Sequence, residues 1–139
     1  MLKVKSKANI VKDLSSELFK HKEIVFVLIH GSFIDQEKFN DIDVAIYIKE
    51  KPDSVLQYEL NLEASLIMSD LFPREIDIRV LNKAPLYFQY NVIKNGDLLF
   101  TKSNDVFYDF KEIIIRDYLD FLPHHREYLK EAFEFELKQ

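Results

Sequence analysis

Asp41 and Asp43 stand one residue apart at the opening of an apolar run that continues to Ile48, and a small turn, Gly31-Ser32, closes the apolar run before it. On a strand, residues two apart point to the same face, so both carboxylates can address one hard cation or a pair of them. The turn offers bare amides and a hydroxyl, donors that reach phosphate oxygens without bulk. A third acid, Asp77, lies in a later segment, Glu75 to Leu81, where Asp77 and Arg79 share one face and Ile76, Ile78 and Val80 the other. Three carboxylates drawn together repel one another unless a divalent metal neutralises them. Mg²⁺ suits that role, because it accepts carboxylate oxygens together with water and substrate phosphates. The chemistry implied is nucleotidyl transfer, with a triphosphate on the turn and two metals about 4 Å apart clamping the attacking and leaving oxygens. Arg79 is either a phosphate contact or a partner for an acid.

The elements that would position these residues follow from periodicity. Ile10, Val11, Leu14, Leu18 and Phe19 recur at helical spacing and predict a first helix from about Ala8 to His21. Ile24 to Ile29 is short, continuous and β-branched, the pattern of a buried strand, and Ile42 to Ile48 is a second strand expected to pair beside it. Pro52-Asp53-Ser54 signals a helix start, and an apolar pattern from Val55 to Leu71 carries that helix toward Pro73. Glu75 to Leu81 is a third strand. Pro85 opens a third helix through about Asn95, Gly96 reads as its C-cap, and Leu98-Leu99-Phe100 is a short apolar segment. From Asn104 onward the chain is helical, with Pro123 expected to end or bend that region and Glu127 to Gln139 a candidate partner-facing helix. The order predicts an α+β fold: a small twisted mixed sheet backed by helices on one side.

Composition bounds the reading. The 139 residues, 47% apolar and 14% aromatic, suit one domain with an adequate core rather than two. Charges of both signs sum to -5, which disfavours a direct nucleic-acid substrate. There is no cysteine, so disulfides and thiolate metal sites are excluded and a cytoplasmic setting is expected. The longest wholly apolar run, Ile24 to Ile29, is far below the roughly 20 residues that span a bilayer, so no membrane association is expected. Of the two glycines, Gly96 has a capping job, whereas Gly31 sits beside Ser32 at a strand end, where a ligand could approach the main chain.

The Gly31-Ser32 turn, Asp41-x-Asp43 and the later Asp77 together resemble the DNA polymerase beta-like nucleotidyltransferase superfamily, and within it the minimal single-domain MNT members. The run from Glu75 to Pro85, then Tyr90 to Phe100 and Tyr118-Leu119-Asp120-Phe121, resembles the MntA adenylyltransferase antitoxins, partners of HEPN-domain toxins. The likeness extends from about Ile24 to Tyr128. It implies a single nucleotidyltransferase domain over residues 1–139 with a C-terminal helical extension, and Mg²⁺-dependent transfer of AMP from ATP to a tyrosine hydroxyl of a HEPN ribonuclease toxin. By the same resemblance Gly31 and Ser32 form the nucleotide-phosphate turn, Asp41 and Asp43 are metal ligands, and Asp77 is the third acid, a ligand and a base. Eight residues separate Ser32 from Asp41, a shorter loop than many members have. The HEPN motif itself, an Arg followed closely by His, is missing here, since Arg116 meets no His until His124. The chain reads as the modifying half of a pair.

Competing readings attach to the same residues. An Asp-x-Asp pair alone is a weak signal, and its weight comes from the turn and the third acid around it. His30 reads as a strand-end histidine satisfied by nearby backbone, the alternative being a contact to the nucleotide, and His124 and His125 read as an exposed turn without companion ligands. The aromatic series Phe107, Tyr108, Phe110, Tyr118, Phe121, Tyr128, Phe133 and Phe135 reads as packing, with part of it at an interface, rather than base stacking. At the level of function, the alternative is a non-catalytic antitoxin that neutralises its HEPN partner by direct binding. Nucleotide transfer to a small molecule would need a further substrate domain that 139 residues scarcely hold.

Overall fold

The computed structural model describes residues 6–35, 41–69 and 75–137. The elements in chain order are α1 (Lys7–Phe19), β1 (Ile24–His30), α2 (Ser32–Asp35), β2 (Asp41–Ile48), α3 (Val55–Met68), β3 (Glu75–Val80), α4 (Leu86–Asn95), β4 (Asp97–Thr101) and α5 (Asn104–Leu137). Serines cap the first two long helices: Ser6 Oγ accepts from Asn9 N at 3.2 Å and Ser54 Oγ from Gln57 N at 3.1 Å. The strands form one mixed sheet in the order β3-β2-β1-β4. β1 runs antiparallel to both β2 and β4, and β2 and β3 run parallel through the α3 crossover.

Helices cover both faces of this sheet, which corrects the expectation of a single backing layer. Ile10, Leu14 and Leu18 of α1 and Leu62 and Leu66 of α3 pack with Ile42, Val44, Ile46, Ile76 and Ile78 on one side. On the other side Val92 and Ile93 of α4 and Phe107 and Ile114 of α5 pack with Phe26, Leu28 and Ala45. The physical reason lies in β1: every residue from Ile24 to Ile29 is buried, so both of its faces need a cover. The Leu98-Leu99-Phe100 segment is part of a fourth strand, β4, which pairs with β1. Gly96 does cap α4, in an extended conformation; a Cβ there would lie 2.5 Å from Val92 O and 3.2 Å from Ile29 O. Pro123 does not end the last helix, because α5 continues past it to Leu137. His124 therefore lies on an exposed helix rather than in a turn, and the side chains of His125, Phe133 and Phe135 lie outside the described residues. Of the apolar positions expected along α3, Leu62 and Leu66 are buried, while Leu56, Leu60 and Ile67 face solvent. Leu71 lies outside the described residues.

β3 is an edge strand, and its outward amides are already used. Glu63 Oε1 accepts from Ile78 N and Glu59 Oε2 from Val80 N, each at 2.8 Å. Two glutamates one helical turn apart on α3 thus occupy the bonds that another strand would otherwise take.

Candidate active site

Strand register gathers the predicted acids. His30 of β1 stands opposite Asp43 of β2, and Asp43 stands opposite Asp77 of β3, so the three form one row across the sheet. Asp41 lies two residues before Asp43 and Arg79 two after Asp77, which puts both on the same face as that row. Gly31 closes the corner with φ +80, a left-handed conformation that a side chain resists. A Cβ at that position would overlap Asp43 Oδ2 and push the carboxylate aside. Ser32 follows as the first residue of α2; its side chain lies outside the described residues.

Asp41, Asp43 and Asp77, with Glu63 and Ile76, line a hollow of about 220 Å³. Burial raises the Asp43 carboxyl above its ordinary value; nearby His30 opposes this, and the charges of Asp77 and Asp41 add to it. Arg79 Nε lies 3.6 Å from Asp77 Oδ1, so of its two expected roles the structure displays the partnership with an acid. Both side chains stay substantially exposed, at 60% and 48%, which leaves that pair weak and Arg79 able to exchange partners.

One residue of the site, Glu63, was not assigned to it from sequence. It falls among the polar positions of α3, and the one signal in the sequence is its spacing of four from Glu59. Burial raises its carboxyl, the Ile78 N–H opposes that, and the charge of Asp77 raises it further. His30 also departs from expectation, since its Nε2 is buried and makes no hydrogen bond. Its ring meets Phe88 edge-on, with centroids 5.6 Å apart, and burial holds its pKa below the ordinary value despite the acids nearby.

The donor set fits Mg²⁺. The polar side chains of the hollow are all carboxylates, hard oxygen donors, and mutual repulsion at Asp43 is the imbalance that a cation would relieve. Among the described residues no three His, Asp or Glu side chains are gathered closely enough to hold a metal ion by themselves; Mg²⁺ would draw its remaining oxygens from water and substrate phosphates.

Residues 12–105 match the model of the family described as Polymerase beta, Nucleotidyltransferase. The chain belongs to that family. As a nucleotidyltransferase-family domain it shares its fold with several solved structures. One, a toxin-antitoxin with AMP-PNP, is 17% identical, with 91% of this chain and 98% of that one covered at a TM-score of 0.65. The toxin-antitoxin MntA-HepT is 15% identical over 92% and 99% of the two chains, with a TM-score of 0.66. A tri-AMPylated Shewanella oneidensis HEPN toxin in complex with MNT antitoxin gives 15% identity, 88% and 98% coverage and a TM-score of 0.66. At such identities the likeness is one of fold. No curated protein matches the chain. No helix among the described residues is long and apolar enough to cross a membrane.

Proposed function

We propose that this nucleotidyltransferase-family chain is the antitoxin of a HEPN toxin pair and transfers AMP from ATP to a tyrosine hydroxyl of that toxin. The observation that carries the reading is the pair Asp43 and Asp77, two facing acids that open on one hollow, with the bare main-chain corner of Gly31 packed against Asp43. The complexes of MntA with HepT and of MNT antitoxin with an AMPylated HEPN toxin, which contain chains of this fold, support the choice of a HEPN toxin as partner.

Gly31 and Ser32 present main-chain amides to the triphosphate. Asp41, Asp43 and Asp77 would hold Mg²⁺, which when bound neutralises the charge that accumulates on the phosphates. Asp77 accepts the phenolic proton as the tyrosine oxygen bonds to the α-phosphorus, and the bond from that phosphorus to the bridging oxygen breaks to release pyrophosphate. Arg79, tethered only loosely to Asp77, meets a phosphate oxygen.

Incubation of the chain with its HEPN partner, ATP and Mg²⁺ should add about 329 Da to the partner for each AMP, read by intact mass. The Asp41→Asn, Asp43→Asn double variant should add none and should no longer rescue cells that express the toxin. Rescue that survives the double substitution would favour neutralisation by direct binding instead.

A further inference from the structure

A second, larger cavity of about 370 Å³ lies further along β3, and none of the predicted acids lines it. Its floor is apolar, with Ile48, Val55, Val80 and Phe88, and its walls carry Lys51, Lys83 and Arg79. Three cations on one groove are conspicuous in a chain of net charge -5. Lys51 and Lys83 are exposed, and among the described residues neither takes part in a salt bridge. The lining holds one acid, Glu59, which offsets part of this charge and is turned toward the β3 edge. Glu59 Oε2 accepts from Val80 N, and the Asn82 side chain clasps the Ile48 backbone, accepting at 3.0 Å and donating at 2.7 Å. The groove is also held in shape: buried Gln89 donates to Leu81 O at 2.8 Å and fixes the turn that carries Asn82 and Lys83.

Two residues join this groove to the acid row. Arg79 follows Asp77 by two positions on one strand face, a step of about 7 Å. Phe88 lines the groove and touches His30 beside the Gly31 corner. From Asp77 the groove continues along β3 toward Val80 and the turn at Asn82 and Lys83.

We propose that the groove lined by Lys51, Lys83 and Phe88 docks an acidic segment of the partner protein and delivers its acceptor hydroxyl to Asp77. The delivery of a hydroxyl to Asp77 rests on the adenylyl-transfer reading; the charge complementarity does not. Recognition is through side chains, an apolar group on the floor and carboxylates at the cations, because Glu59 and Glu63 already occupy the strand-edge amides that would bind a backbone. A nucleotide base is the less suitable occupant, since the groove offers cations and keeps its amide group, Asn82, occupied.

The test uses the Lys51→Glu, Lys83→Glu double variant of the full chain with the purified HEPN partner. Partner binding without ATP and steady-state AMP transfer are both measured at two salt concentrations. The partner's Kd and its KM should rise about tenfold, with a flatter salt dependence, while the KM for ATP stays within about twofold. A raised KM for ATP with unchanged partner binding would assign the groove to the nucleotide and overturn the proposal. Partner binding and partner KM both unchanged would overturn it as well. If the wild-type chain transfers no AMP but the double variant still weakens partner binding, the docking groove stands and the catalytic reading falls.

Discussion

Gly31 and Asp43 are packed so closely that the carboxylate of one occupies the space where the other would carry a Cβ. The left-handed φ of Gly31 and this contact act together: a side chain at residue 31 would strain the backbone and displace the Asp43 carboxylate. Gly31→Ala should therefore cost about 1–2 kcal/mol from backbone conformation alone. Because the added methyl also displaces the Asp43 carboxylate, AMP transfer should fall by more than the loss in thermal stability explains. Parallel melting curves and single-turnover transfer assays check this.

Asp43 should be a group that the metal-free fold keeps at a cost. Its pKa is raised chiefly by burial, so the native state takes up its proton before the unfolded chain does. Stability from this group is accordingly gained as pH falls through the raised native value, and the penalty is fully present at neutral pH. Asp43→Asn should melt at a higher temperature than wild type at pH 7.5 in EDTA, and the difference should vanish once pH drops below the ordinary value of 3.8. A melting series over pH reads this directly.

His30 should contribute in the opposite sense. Burial lowers its pKa from 6.5, so between the native value and 6.5 the unfolded chain binds the extra proton. Stability from His30 is present above pH 6.5 and is lost as pH falls toward the native value. His30→Gln should flatten the melting profile over that window, and restoring the histidine should restore the slope.

The two glutamates on the β3 edge should be separable by chemistry. Glu63→Ala removes the acceptor for Ile78 N and should cost about 1–2 kcal/mol, a fall in Tm of about 5 °C. Glu63→Gln keeps an acceptor oxygen and removes the repulsion with Asp77, so it should melt near or above wild type. Differential scanning calorimetry of both variants at neutral pH distinguishes a hydrogen-bonding role from a purely electrostatic one.

The site residues were legible because two periodicities coincide in the chain. A step of two along a strand puts Asp41 with Asp43 and Asp77 with Arg79, and a sequence displays that spacing openly. The continuous apolar run Ile24 to Ile29 likewise announced burial, and its implication of helices on both faces went unused. Of the two outcomes expected at Pro123, an end or a bend, the structure excludes the end. A proline removes one amide bond, which is decisive for a short helix and tolerable in one of 34 residues.

By itself the sequence determined which groups could do chemistry and on which side of each strand they stand, since those properties are local and follow from backbone geometry. Only the tertiary structure decided which strands are neighbours. That choice sets Asp43 between His30 and Asp77, brings Glu63 from a helix to the same hollow, and opens a cationic groove beyond Arg79. Such relationships depend on long-range pairing between segments tens of residues apart, driven by burial of both sheet faces, and no local pattern encodes them.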